Sequence, residues 1–292
     1  MAATTCAIGA PARTVEEAYP GFATDALAYA ILDDLPENEI LLSGEYKIGP
    51  RDLNEQIRLA PEKLWPQMKR NLFFVLESLA GTTLLQYEAE LWAEKNPNSA
   101  PENPEDLFIV FMEYITRDVT ATDEEVKAYY DSEKENHPEI DFEKAKDQLK
   151  EFVIGQKKST ARSEYIRQMG KRYVIKVDKT WLAKQYSAAI DNPLDKARKS
   201  GKPTFVAFTS TTCKPCELME PIIEAVKKEH SKTANILVVS MDTDPVLGSR
   251  YAIEALPSQI FFDKNGKESF RHTGLYSKEL IVERLQNKPV KK

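Results

Sequence analysis

A chain of 292 residues, 42% hydrophobic and 29% charged, reads as a soluble globular protein with more than one core. Its net charge of −6 argues against nucleic acid or an anionic membrane as the main partner. No apolar run approaches the roughly 18 residues of a membrane span. Three cysteines (Cys6, Cys213 and Cys216) are too few for a disulfide-stapled scaffold or a four-ligand zinc site. His137, His230 and His272 lack ligand spacing, so neither a metal nor a cofactor is expected.

In chain order, residues 1–24 carry Pro11, Pro20 and Gly21 and read as a poorly ordered lead-in, with Cys6 a spare thiol. Met1–Pro20 shows no basic stretch followed by an apolar one, so either the protein stays in the cytoplasm or a signal has been removed. Ile40–Ile48 reads as extended, and Gly49-Pro50 opens a helix. Leu64, Met68, Leu72, Val75, Leu76 and Leu79 recur at helical spacing, continuing through Leu84, Tyr87, Leu91 and Trp92 past a weak point at Gly81. After the Asn96–Pro104 loop, Asn103 caps a helix carrying Leu107, Phe108, Val110, Phe111, Tyr114 and Ile115. Thr122 to Glu125 form a capping box. Asp141 caps a long helix, which Gly170 is expected to stop. Its charges (Lys144, Lys146, Asp147, Lys150, Lys157 and Lys158) read as a solvated face. Tyr173–Val177 alternates like a strand, closing a mainly helical first unit, 25–178.

From residue 179 the pattern becomes mixed. Trp181–Ser200 reads as a helix and Thr204–Phe208 as a buried strand. A helix opens at Cys213, strand Ile236–Met241 and helix Val246–Ile253 come next, and a hairpin about Asn265-Gly266 leads into helix Lys278–Gln286. The expected architecture is an α+β two-domain chain with an α/β second domain, 179–292.

The chemistry concentrates in Cys213-Lys214-Pro215-Cys216. A cysteine at a helix start meets free backbone N–H groups and the positive end of the helix dipole, and Lys214 adds charge. Both favour a thiolate, making Cys213 the nucleophile. Cys216, one turn on, is within reach of a disulfide and would resolve a mixed one. Pro215 falls in the first turn, where its missing N–H costs nothing. A bare C-x-x-C also occurs in metal knuckles. Its place between a strand and an amphipathic helix, with Leu256-Pro257 entering a later strand, favours redox chemistry.

Phe205-Val206-Ala207-Phe208, the Cys213–Cys216 motif, Pro221, Leu256-Pro257, Lys264-Asn265-Gly266 and Gly274 together resemble thioredoxins over roughly the last 110 residues. The resemblance implies a thioredoxin fold, a cis Pro257 lying against the cysteines, and a Leu256 backbone that pairs with a substrate strand. Three positions depart from that family. Thr212 stands where a tryptophan is usual, Ala207 where a buried aspartate is, and Val238 where its lysine neighbour is. These departures point to a specialised exchange partner.

Residues 38–178 resemble the N-terminal chaperone domain of SurA-like parvulin-type prolyl isomerases. Ser43-Gly44-Glu45 with Leu53, the Thr122–Tyr130 helix start and the segment from Asp141 into Tyr173–Val177 carry the likeness. Only Glu135–Ile140 separates the last two helices, leaving no room for an isomerase module. The resemblance implies a helical cradle for unfolded chains, to which Phe73, Phe74, Phe108, Phe111, Tyr129, Tyr130 and Tyr165 could contribute. Equally, these aromatics could fill a core or a dimer interface. The expected function is thiol–disulfide exchange on protein thiols and disulfides, with unfolded envelope proteins as clients and a homodimer formed by the first domain. The resemblances place the protein in the periplasm, with the cytoplasm as the alternative. The competing readings are a holdase whose second domain only recognises chains, and a reductase dedicated to one partner.

Overall fold

The computed structural model describes residues 13–134 and 141–286. Cys6, His137 and the Glu135–Ile140 connection lie outside them.

The first unit begins earlier than expected. A reciprocal capping box between Thr14 and Glu17 opens α1 (Val15–Ala18), and Val15, Phe22 and Ala23 are buried. Phe22 stacks on Phe73 at 4.6 Å between ring centroids. Residues 13–24 are therefore core, not lead-in: their apolar side chains outweigh the turn-forming Pro20 and Gly21.

Strands β1 (Ile31–Asp33), β2 (Leu41–Ser43) and β3 (Tyr46–Ile48) follow, so the extended 40–48 segment is a hairpin. Helices α2 (Pro50–Leu59), α3 (Trp65–Arg70) and α4 (Leu72–Lys95) come next, and α4 runs unbroken through Gly81. Asn103 caps a short turn leading into α5 (Leu107–Tyr114), and Thr122 and Glu125 cap α6 (Asp123–Glu133).

Asp141 caps α7 (Phe142–Arg172), which does not stop at Gly170. That glycine answers a packing need instead. A Cβ there would sit 2.1 Å from the Ala26 carbonyl oxygen, so only glycine permits the approach. The charges of α7 are partly paired rather than merely solvated: Lys146 meets Asp123 at 2.7 Å, Lys157 meets Glu125 at 2.7 Å and Lys158 meets Glu113 at 3.0 Å.

Strand β4 (Lys176–Asp178) starts late, because the Tyr173 N–H still closes the helix onto Met169. It lies parallel to β1 and antiparallel to β2, giving the order β1-β4-β2-β3. Helix α8 (Lys179–Ala189) then buries Leu182 and Ala189 in the first core. The expected second unit, 179–292, thus contributes its first helix to the first core.

The expected Trp181–Ser200 helix is two helices. Asn192 caps α9 (Pro193–Arg198), and Pro193 takes its first position. Strand β5 (Thr204–Thr209), α10 (Lys214–His230), β6 (Asn235–Ser240), α11 (Pro245–Arg250), β7 (Ser258–Phe262), β8 (Glu268–Thr273) and α12 (Lys278–Leu285) complete the chain. The second sheet has the order β6-β5-β7-β8, with β5 and β6 parallel and the other pairs antiparallel. Alternation divides it cleanly. Phe205, Ala207 and Phe261 face α10 and α12, while Val206, Phe208 and Ile260 face Leu194 of α9 and Leu247 of α11.

One polar cluster joins the two units. Arg250, buried on α11, donates to both Asp195 carboxylate oxygens at 2.8 and 3.1 Å and to the Ala189 carbonyl at 3.1 Å. Tyr251 donates to Asp195 at 3.0 Å, and Arg198 donates to the Tyr251 hydroxyl at 2.9 Å. Burial would push the Asp195 carboxyl up, but Arg250, Asn192 and Arg198 outweigh it and hold it below the usual carboxylate range. Farther along the seam Ser159 of α7 donates to Glu254 at 2.8 Å.

The first core also encloses a carboxyl pair. Burial pushes the Glu77 carboxyl up, against the lowering pull of hydrogen bonds it accepts from the Thr24 N–H at 2.8 Å, the Thr24 hydroxyl at 3.0 Å and the Asp25 N–H at 3.1 Å. Burial, and then the charge of Glu77, push Asp25 up to about 9, so Asp25 carries the proton. An unfolded Asp25 would lose that proton near the ordinary aspartate value of 3.8. The stability tied to it is complete below that pH and is lost progressively as pH rises toward about 9. Stability against urea should therefore decline from mildly acidic to alkaline pH, and Asp25→Asn should flatten the decline. An equal slope in the variant would remove Asp25 as its source.

Candidate functional site

Strand β5 buries four successive residues, Phe205 to Phe208, and then releases the chain into the exposed Ser210–Thr212 turn. The turn ends on Cys213, the N-cap of α10, with φ −98° and ψ 100°. Its Sγ accepts the Cys216 N–H at 3.2 Å, satisfying one of the donors that a helix start leaves unpaired. Pro215 lies in the same turn and lacks only a donor with no helical partner. Cys213 and Cys216 form a disulfide with their Cα atoms 5.2 Å apart. Cys213 is half-buried, whereas Cys216 is only 5% exposed. One sulfur faces outward and the other inward. Lys214 is exposed beside them.

The Leu256–Pro257 peptide bond is cis, the isomer the resemblance implies. Pro257 is buried and immediately precedes Ser258, which pairs with Phe208 of β5. It therefore lies at the sheet end from which β5 leads to the cysteines. The Pro257 carbonyl accepts the Gly274 N–H at 2.8 Å. The Leu256 amide and carbonyl make no backbone hydrogen bond to other described residues.

Asp242 and Gln259 escaped the sequence reading. Asp242, just past β6, accepts from the Ser210 hydroxyl and from the Thr211 N–H, both at 2.7 Å. These hydrogen bonds hold its carboxyl below the usual range and tether the turn that presents Cys213. No motif marks an aspartate after a strand as an anchor 30 residues upstream. Gln259 is fully buried on β7, directly opposite Ala207. Ala207 in turn pairs with Val238 on β6, so neither of these two departures leaves a carboxylate or an ammonium here. Burial pushes the His272 imidazole down; its ring packs on Tyr276 at 4.3 Å and its Nε2 lies 3.0 Å from the Leu275 carbonyl.

A four-stranded sheet between two pairs of helices, with a dithiol at a helix start beside a cis proline, defines the class as thioredoxin-like. The family model and the sequence relatives agree. A family model described as a thioredoxin-like domain matches residues 190–288, beginning directly after α8. Thioredoxin of Rickettsia bellii is 31% identical over 93 residues, covering 32% of this chain and 88% of that protein. Chloroplastic thioredoxin Y2 of Arabidopsis thaliana is 41% identical over 95 residues, 32% of this chain and 55% of its own length. A solved structure of chloroplastic thioredoxin z aligns with 31% of this chain and 81% of its own, at 25% identity and a TM-score of 0.29. Through its second domain the chain belongs to the thioredoxin family. Among the described residues no helix is long and apolar enough to cross a membrane, and no group of three or more His, Cys, Asp or Glu could hold a metal ion.

The Asp242 tether is testable. Asp242→Ala should leave the Cys213–Cys216 disulfide able to form while accelerating hydrogen exchange at the Thr211 amide. Undiminished protection of that amide would show that the turn holds itself.

Proposed function

We propose that the protein is a thiol–disulfide oxidoreductase acting on protein substrates, with Cys213 as attacking sulfur and Cys216 as resolving sulfur. The observation that carries this reading is the asymmetry of the pair: an outward sulfur capping a helix, an inward one a turn later, and a cis proline at the same sheet end. In the dithiol form the Cys213 thiolate attacks one sulfur of a client disulfide. A Cys213–client disulfide forms and a client thiolate leaves, taking up a proton. The Cys216 thiol then gives up its proton and attacks the Cys213 sulfur, forming the Cys213–Cys216 disulfide and expelling the second client thiolate. The client gains two electrons from the pair and two protons, one given up by Cys216 and one taken from solvent. Run backward, the same steps oxidise a client dithiol.

Leu256 and Pro257 hold the client. An extended segment pairing with the Leu256 backbone gains main-chain hydrogen bonds whatever its side chains, which suits a protein substrate. Lys214 and Pro215 tune the pair by charge and by fixing the first turn. A cleft of about 1180 Å³ lies between α7 and β8, next to Ala255 and Ser258, with Tyr129, Phe152, Phe270 and Tyr276 among its walls. It gives room for a client chain on the Leu256 side. On α5, Ile109 is 63% exposed beside exposed Phe108 and Tyr114, an apolar face suited to client holding or to a homodimer. The SurA-like resemblance extends this reading to unfolded envelope proteins in the periplasm. The same cleft and face favour the second reading, a holdase in which the thioredoxin-like domain only recognises chains.

Two substitutions separate them. Cys216→Ala should accumulate mixed disulfides with client proteins through Cys213, whereas Cys213→Ser should lose disulfide turnover and trap nothing. If the parent protein neither reduces nor oxidises a protein disulfide, yet still suppresses aggregation equally with and without Cys213, the enzyme reading fails and the holdase stands.

A further inference from the structure

Gln259 presents a buried polar group that the disulfide form leaves unsatisfied. Its side chain is fully buried, and its Nε2 donates to the Gly274 carbonyl at 3.0 Å. Its Oε1 is buried and accepts no hydrogen bond. Interiors rarely leave a carbonyl so, because it has been stripped of water without compensation.

Sheet register fixes where this group lies. Gln259 pairs with Ala207 on one side and His272 on the other, and paired residues share a face of the sheet. Phe205, Ala207 and Phe261 place that face against α10, through Met219 and Ile223. Gln259 is two positions nearer than Phe261 to the sheet end where β5 delivers the chain to Cys213. It therefore lies toward the first turn of α10, the turn that buries Cys216. The neighbouring Ala207 and Val238 offer no side-chain acceptor.

Oxidised Cys216 has no proton to donate. Reduction creates an S–H on that buried sulfur, a donor in need of an acceptor. We infer that the Gln259 amide is a positioning group for the resolving thiol: in the dithiol form its Oε1 accepts the Cys216 S–H. The inference rests on the assignment of Cys216 as the inner, resolving sulfur. A hydrogen bond to the protonated form keeps Cys216 a thiol, so that the outer sulfur alone is thiolate when a client arrives. The Gln259 carbonyl replaces a buried acid with a neutral acceptor, and it does so from the adjacent strand. The other titratable groups facing this region are His272 on β8, Tyr276 after it and Cys213 at the head of α10. Glu217 and Glu220 are exposed on α10.

The test uses the full chain, reduced, in a Cys213→Ser background so that only the inner thiol of the pair titrates. Thiolate absorbance followed against pH, with Cys6→Ser also present, should show Gln259→Leu lowering the Cys216 pKa by about one unit. Gln259→Glu keeps a carbonyl acceptor and should restore a value at or above that of the parent. A role in packing alone would alter the melting temperature and leave both titrations in place, which would overturn the inference. Should Gln259→Leu fail to fold, the infrared S–H stretch of Cys216 in the unsubstituted position-259 protein decides. A band shifted to the hydrogen-bonded range supports the contact, and one at the free-thiol frequency overturns it. Disulfide turnover by the wild-type chain, measured alongside, tests the oxidoreductase reading separately, because the thiol titration does not depend on turnover.

Discussion

Arg250 is 7% exposed and Asp195 3%, and neither charge could stay there without the other. Their two-pronged contact leaves one guanidinium hydrogen to reach across to the Ala189 carbonyl at the end of the first domain. The second domain thus offers the first a buried cation whose charge is already balanced within its own fold. Truncating either partner would strand an uncompensated charge at the seam, a loss of about 3–5 kcal/mol by the measure of other buried pairs. Because α11 carries Arg250 and also leads toward cis Pro257, the seam fixes the redox face relative to α7. The cleft beside Ser258 follows from that placement.

Within the second domain the chemistry follows from where a strand ends. Full burial of Phe205 to Phe208 between two helical layers ties the register to packing, since a shift by one residue would press side chains fitted to one layer against the other. The end of β5 is thereby fixed, Asp242 holds the turn beyond it, and α10 has to begin on Cys213. A helix start supplies unpaired N–H groups, and a sulfur capping them is biased toward the anion. The inner sulfur receives the opposite environment, buried away from solvent. Two chemically identical side chains acquire distinct characters through three residues of separation.

Much of this was legible in the sequence for local reasons. Capping at Thr122, Asn103 and Asp141 and the strand–cysteine–helix order are short-range signals, and the elements they announce are present within a few residues. What escaped depends on long-range packing. Gly170 looked like a helix stop because glycine often is one, whereas its role is to admit the Ala26 backbone. Residues 13–24 looked loose because their burial comes from Phe73 and Tyr186, far along the chain. Helix α8 packs on the first core, although its apolar face reads alike against either. In the site, the cysteines and cis Pro257 announce themselves by motif. Asp242 and Gln259 take their meaning from strand pairing, which no spacing along the chain encodes.

Helix α7 is 31 residues long, about 46 Å at the usual helical rise and more than one small core can enclose. Its C-terminal part packs Met169 with Leu85, Trp92 and Phe111 and sets Gly170 against Ala26 of the first core, while its N-terminal part meets chiefly α6, in a separate cluster built on Ala121, Val126 and Val153. Cooperativity should divide along that line. Helices α6 and α7 there form a packing unit of their own, separate from the disulfide domain. Helix α7 thus links two separately packed regions of the first domain.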